Sequence, residues 1–168
     1  WCELRRMPPF RATQVLEWVY HKGVIDPAAM TNLSALDRRT FAEQMTFLSG
    51  RTVARRDATD GTRKLLIEWD DGTTKPAPLQ VLGPQDSSRQ TECVMIPTED
   101  RRTACISSQI GCPVGCKFCA SGMGGLDGNL SAGRIVEQVW RLGDLLRASN
   151  DPVGRITNIV FMGMGEPL

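Results

Sequence analysis

A mixed α/β fold is predicted by three observations: helical periodicity in the first fifty residues, short alternating strands in the middle, and a strand–loop–helix–strand unit at the end. These divide the chain into residues 1–50 (helical), 51–97 (a β-hairpin region) and 98–168 (an α/β region). No internal repeat or low-complexity tract interrupts them.

The helical region holds one segment from about Phe10 to Tyr20 and a second from about Ser34 to Phe47, where Leu36, Phe41, Met45 and Leu48 form an apolar side. A module this small sits below the size that usually supports a large core alone, so it is expected to pack on the downstream residues or to act as a docking appendage. Next, Lys64–Trp69 reads as a strand, Asp70–Thr73 as a turn and Leu79–Leu82 as a return strand. Pro76, Pro78 and Pro84 make that return strand short or an edge. Glu92–Pro97 and Thr103–Ser107 complete the strand series. Further on, Ser131 can cap a helix in which Ile135, Val136, Val139, Leu142, Leu145 and Leu146 fall mostly at helical spacing. Asn150-Asp151-Pro152 breaks it, and Arg155–Met162 reads as a buried strand running into the turn Gly163-Met164-Gly165-Glu166-Pro167.

The sharpest chemical signal is C-x3-C-x2-C, formed by Cys112, Cys116 and Cys119. Soft thiolates select zinc, copper(I) or iron-sulfur clusters, and closed zinc sites take four protein ligands, usually as paired units. No second pair follows, and the single histidine, His21, lies far upstream. Three thiolates suit a [4Fe-4S] cluster with one iron open to a non-protein ligand. Gly111, Pro113 and Gly115 favour a loop able to wrap a cluster, and Phe118 puts an aromatic face beside it. Two other classes compete. In a zinc-binding RNA module Cys105 would complete a four-thiolate site, although its seven-residue gap fits no common zinc pattern. A thiol redox protein would want C-x2-C at a helix start and would leave the third thiol unexplained.

Composition places the chain among intracellular α/β proteins. It is 41% hydrophobic and 23% charged, and no apolar run is long enough to cross a membrane. No signal peptide is evident, so a cytoplasmic setting, where disulfides are uncommon, is expected. A net charge of +1 is not the footprint of a nucleic-acid-coating protein. The basic residues are mostly arginines, paired at Arg5-Arg6, Arg38-Arg39, Arg55-Arg56 and Arg101-Arg102. Such pairs suit phosphate forks, and an arginine-rich codon bias gives the same count.

The triplet with an aromatic before its third cysteine resembles the cluster loop of radical S-adenosylmethionine (SAM) enzymes. The agreement is closer still over Cys105–Cys112, Glu137-Gln138-Val139-Trp140 and Ile156–Leu168, which resemble the RlmN/Cfr family of RNA adenine methyltransferases. Upstream, Phe10–Tyr20 and Met30–Ser34 look like that family's small helical amino-terminal domain. One mild departure is Ala120-Ser121-Gly122 after the third cysteine, where a threonine is frequent in the family.

This resemblance implies an RNA-docking helical domain, a hairpin linker and the start of a radical SAM (β/α) barrel. It implies a [4Fe-4S] cluster on Cys112, Cys116 and Cys119, and SAM bound through Phe118, Gly163, Gly165 and Glu166. In the family, one SAM methylates an enzyme cysteine, and a second is cleaved to a radical that takes hydrogen from that methyl. The methylene radical then adds to adenine, because the adenine ring carbons C2 and C8 cannot attack a methyl sulfonium as nucleophiles. By position Glu92 matches the proton acceptor, and Cys105 the resolving cysteine that forms a transient disulfide with the methyl carrier. Cys2 and Cys93 match no role. The implied substrates are 23S rRNA and tRNA at C2, with C8 methylation as the antibiotic-resistance alternative. The implied electron donor is external, such as flavodoxin, and the enzyme is expected to be a cytoplasmic monomer. A complete barrel takes roughly 200 residues or more, so the sequence reads as an amino-terminal fragment lacking the methyl-carrying cysteine and, alone, inactive.

Overall fold

The computed structural model describes residues 1–70 and 89–167. Two compact units form, Trp1–Leu48 and Ser49–Leu168.

In the first unit, helix α1 (Phe10–Leu16) starts just after Pro8-Pro9 and runs into a wider, π-type turn over Glu17–His21. Helix α2 (Ala35–Gln44) begins where the Ser34 hydroxyl accepts the Asp37 N–H at 3.1 Å, with the Asp37 carboxylate near the positive end of the helix dipole. Cys2, Val15, Met30, Leu33 and Phe41 close a core from this unit's own residues, and Trp1 stacks on Phe41. Leu36, expected on the apolar side of α2, is instead largely exposed. One turn of α2 is enough to bury Phe41, and the stripe is narrower than the sequence suggests.

The second unit is a five-stranded sheet in the order β1-β2-β3-β4-β7, with a separate β5-β6 ribbon. Its strands are β1 (Gly50–Asp57), β2 (Arg63–Trp69), β3 (Gln90–Pro97), β4 (Arg102–Cys105), β5 (Gln109–Gly111), β6 (Leu126–Asn129) and β7 (Asn158–Val160). The strands of residues 51–97 therefore share one sheet with those that come after residue 98. The first four strands pair antiparallel, and β7 returns parallel to β4. That return is made through α3 (Ala132–Ala148), so β4, α3 and β7 form a βαβ unit. Ser131 caps α3 as expected, accepting the Arg134 N–H at 3.3 Å.

The core lies between α3 and one sheet face. Leu65, Ile67, Trp69, Cys93, Met95, Ala104 and Ile106 meet Leu142 and Leu146 there. Burial pushes the Cys93 thiol up to about 12, which makes it an inert core residue. Glu137 is buried at the foot of α3 and ties down the start of β1, accepting the Ser49 and Gly50 N–H groups and the Arg141 guanidinium.

Two sequence expectations are corrected. The hairpin on β2 is made upstream with β1, across Ala58–Thr62, where the Asp60 carboxylate accepts the Thr62 N–H and Gly61 adopts φ +83°. The expected return strand Leu79–Leu82 and most of the Asp70–Thr73 turn lie outside the described residues. The strand at Arg155–Met162 shrinks to Asn158–Val160, and Ile159 is half exposed. Among the described residues β7 pairs only with β4, and a strand with one neighbour at the sheet's edge is not buried on both faces.

Candidate active site

Strand β4 delivers its chain to the site in a single extended run. Cys105 ends the strand, Ile106 donates its N–H to Val160 O, and Ser107 to Gln109 then pass beneath the glycine-rich turn. Met164 O accepts from the N–H groups of both Ser108 and Gln109, at 2.9 and 3.2 Å, and the Gln109 side chain accepts the Glu166 N–H at 3.0 Å. The fit explains both glycines. A Cβ on Gly163 would stand 2.7 Å from Ile106 O, and one on Gly165, at φ +102°, would stand 2.6 Å from Gln109 Cβ. They are needed for close approach to the 106–109 segment, and the turn leaves the Glu166 side chain exposed.

Ser107 is the junction of this arrangement. It is fully buried, donates its hydroxyl to Glu92 O at 2.6 Å and accepts the Met164 N–H at 2.9 Å. The Gln138 amide, also fully buried, grips the Ser107 backbone from both sides, accepting its N–H and donating to its carbonyl, each at 2.9 Å. Neither residue stands out as functional in the sequence. The available signal is that Gln138 shares the i, i+4 stripe of Leu142 and Leu146 and is a polar residue on an otherwise apolar helix face.

The cluster loop is closed at its base by the β5-β6 ribbon, which pairs Gln109 with Asn129 and Ile110 with Gly128. Cys112 N–H donates to Gly125 O at 3.0 Å, and Gly111, at φ +74°, leaves no room for a Cβ, which would fall 2.1 Å from that oxygen. Within the loop, residues 115–120, Gly122 and Met123 line a hollow of about 340 Å³, with Phe118 almost wholly exposed at it.

All six cysteines are free thiols, so Cys105 has no disulfide partner in this chain. Cys116 is exposed, and Cys112 and Cys119 are partly so. Hydrogen bonds from the Ser121 N–H and hydroxyl, and from Gly122 N–H, push the Cys119 thiol below its ordinary value. Among the described residues no three Cys, His, Asp or Glu side chains are placed to hold a single metal ion. A cluster asks for something different, since each thiolate binds a separate iron and the three need not converge on one point. Three unpaired, accessible thiols on a loop shaped by glycines fit that donor chemistry.

Glu92 and Cys105 lie on the sheet face opposite the α3 core. Across the ladder Lys64 pairs with Val94 and Val94 with Cys105, while Glu92, two residues before Val94, sits diagonally from Lys64. Lys64 Nζ lies 2.9 Å from the Glu92 carboxylate. Burial pushes the Cys105 thiol up, with a hydrogen bond from the Met162 backbone opposing it in part.

Known proteins resemble this chain over nearly its whole length. Residues 1–46 match the profile of the ribosomal RNA large subunit methyltransferase N-terminal domain. A probable dual-specificity RNA methyltransferase RlmN from Desulfitobacterium hafniense is 41% identical over 99% of this chain. Over nearly its whole length the chain is similar to RlmN proteins. A second RlmN, the dual-specificity RNA methyltransferase of Dichelobacter nodosus, is 38% identical over 100% of the chain. A crystal structure of a radical SAM methyltransferase from Sphaerobacter thermophilus superposes with a TM-score of 0.80 at 35% identity, covering 99% of this chain and 43% of that one. The chain spans 43% and 42% of the lengths of the two RlmN relatives. No described helix is long and apolar enough to cross a membrane.

Proposed function

We propose that this chain carries the cluster loop and the first SAM-binding turn of a radical SAM enzyme that methylates carbon C2 of adenosine in 23S rRNA and tRNA. The observation that carries the reading is the closure of the Gly163–Glu166 turn onto Ser108 and Gln109, three residues ahead of Cys112. A ligand-sized turn and a three-thiolate loop thereby stand at the same end of the β4/β7 pair, where α/β sheets present their ligand sites.

Cys112, Cys116 and Cys119 would hold the [4Fe-4S] cluster, and the glycine turn with Glu166 would hold the SAM amino group. When bound, the pair supplies reductive SAM cleavage at the open iron, with the electron coming from an external donor such as flavodoxin. Phe118, exposed beside the hollow, offers an aromatic wall for the cofactor. Glu92 stands on an open sheet face, where its carboxylate can take a proton from the adenine carbon. Cys105 shares that face, so its thiolate could form a disulfide with the family's methyl-carrying cysteine as the bond from that sulfur to the product's carbon breaks and its electron pair passes to that carbon. A monomeric cytoplasmic enzyme completes the reading.

The test is anaerobic reconstitution with iron and sulfide, with and without SAM. About four irons and four sulfides per chain, lost in Cys112→Ala, Cys116→Ala and Cys119→Ala and spectrally altered by SAM, support the reading. Stoichiometric zinc with no labile sulfide sinks it.

A further inference from the structure

The face that holds Glu92 and Cys105 extends across β2 to β1, and β1 is bent to reach it. Its register runs Gly50↔Trp69, Arg51↔Glu68 and Thr52↔Ile67, and then jumps to Ala54↔Leu66, so that Val53 is an extra residue in a β-bulge. The jump changes which side chains point where. Without it Arg55 would fall opposite Lys64 and Arg56 opposite Arg63 on the α3 side. With it Arg56 falls directly opposite Lys64, on the open face. Arg55 is turned to the other side, where it pairs with Asp57 through a 2.8 Å hydrogen bond.

Placing two cations directly opposite each other costs stability in an antiparallel ladder. Lys64 is partly compensated by Glu92, whereas no carboxylate among the described residues pairs with Arg56. Around them, Ala54, Arg56, Lys64, Leu66 and Glu92 line a hollow of about 480 Å³, with the small Ala54 side chain leaving it open. An unpaired guanidinium set directly opposite a second cation, in a hollow beside the candidate proton acceptor, is best explained by an anion bound there.

We propose that Arg56, with Lys64, binds a backbone phosphodiester of the RNA strand and so seats the target adenosine against Glu92. The inference rests on the RNA-methyltransferase reading above and adds to it a phosphate subsite. Arg56 supplies a planar fork for two phosphate oxygens, and Lys64 a point charge shared with the Glu92 carboxylate.

Equilibrium binding of a short fluorescein-labelled RNA stem-loop with unpaired adenosines, measured by anisotropy across a potassium chloride series, tests it. Arg56→Gln should weaken binding several-fold at low salt and reduce the slope of log affinity against log salt by about one. Arg56→Lys, which keeps the charge, should hold the slope. Arg55→Gln, on the opposite face and one residue away, should leave both slope and affinity as in the wild type. An unchanged slope in Arg56→Gln, or an equal loss in Arg55→Gln, overturns the phosphate subsite while leaving the enzyme reading intact. A wild-type chain that does not bind the RNA at any salt overturns both.

Discussion

Replacing Gln138 by leucine isolates the contact that joins α3 to the site. The wild-type amide satisfies the N–H and the carbonyl of Ser107, each at 2.9 Å, and both residues are fully buried. Leucine has a similar volume and no polar atom, so both Ser107 groups would be left unpaired away from water. Each such orphan costs about 1–3 kcal/mol, and the gain from burying leucine returns roughly 1.5 kcal/mol. At the centre of these ranges Gln138→Leu loses about 2–3 kcal/mol. Against a typical total of about 5–15 kcal/mol this is a large fraction. Urea denaturation should show a lower midpoint with an unchanged slope. Amide exchange should accelerate at Ser107 and at Met164, whose N–H is held by the Ser107 hydroxyl. A loss below about 1 kcal/mol, or unaltered exchange at both amides, would refute the claim that this amide holds the turn against the acid-bearing strand.

Further expectations concern the buried ion pair and the loop glycines. Burial alone would raise the Asp151 carboxyl, but hydrogen bonds from Arg102 and from the Gly154 and Val153 N–H groups outweigh it and hold the carboxyl below its ordinary value. A lowered folded value means that this stabilisation is fully present above about pH 4 and is lost as pH falls through the folded value. Asp151→Asn should therefore flatten the acid limb of stability against pH, and parallel acid limbs in the two proteins would count against the assignment. Gly111→Ala, which places a Cβ 2.1 Å from Gly125 O, should cost the chain its iron and sulfide on reconstitution. Gly124→Ala, which meets open space, should keep them. Equal iron content in the two variants would show that the ribbon closure does not shape the loop.

Much of the fold and the site is legible in residue patterns, and the misses have physical causes. The α3 stripe and its Ser131 cap, the strands at Lys64–Trp69 and Glu92–Pro97, and the cysteine loop all carry local signals. Strand β1 is hidden because Arg51, Arg55 and Arg56 leave it almost without apolar alternation. Asp60-Gly61, a strong hairpin dipeptide, is the available clue to it. Strand β7 reads as long and buried because its composition is apolar, and composition does not reveal whether a strand has one neighbour or two.

By itself the sequence determined which side chains are on offer: three thiols at C-x3-C-x2-C, a glycine turn carrying an acid, and a wording similar to that of RlmN proteins. Ligand type and spacing are local properties, so they survive in one dimension. Only the tertiary structure decided that Ser107 bridges Glu92 to the glycine turn, that Gln138 fixes Ser107, and that a single extra residue at Val53 swings Arg56 onto the face of Glu92 and Cys105. These depend on ladder register and on contacts between residues up to 57 positions apart, where a shift of one residue reverses the face each side chain occupies.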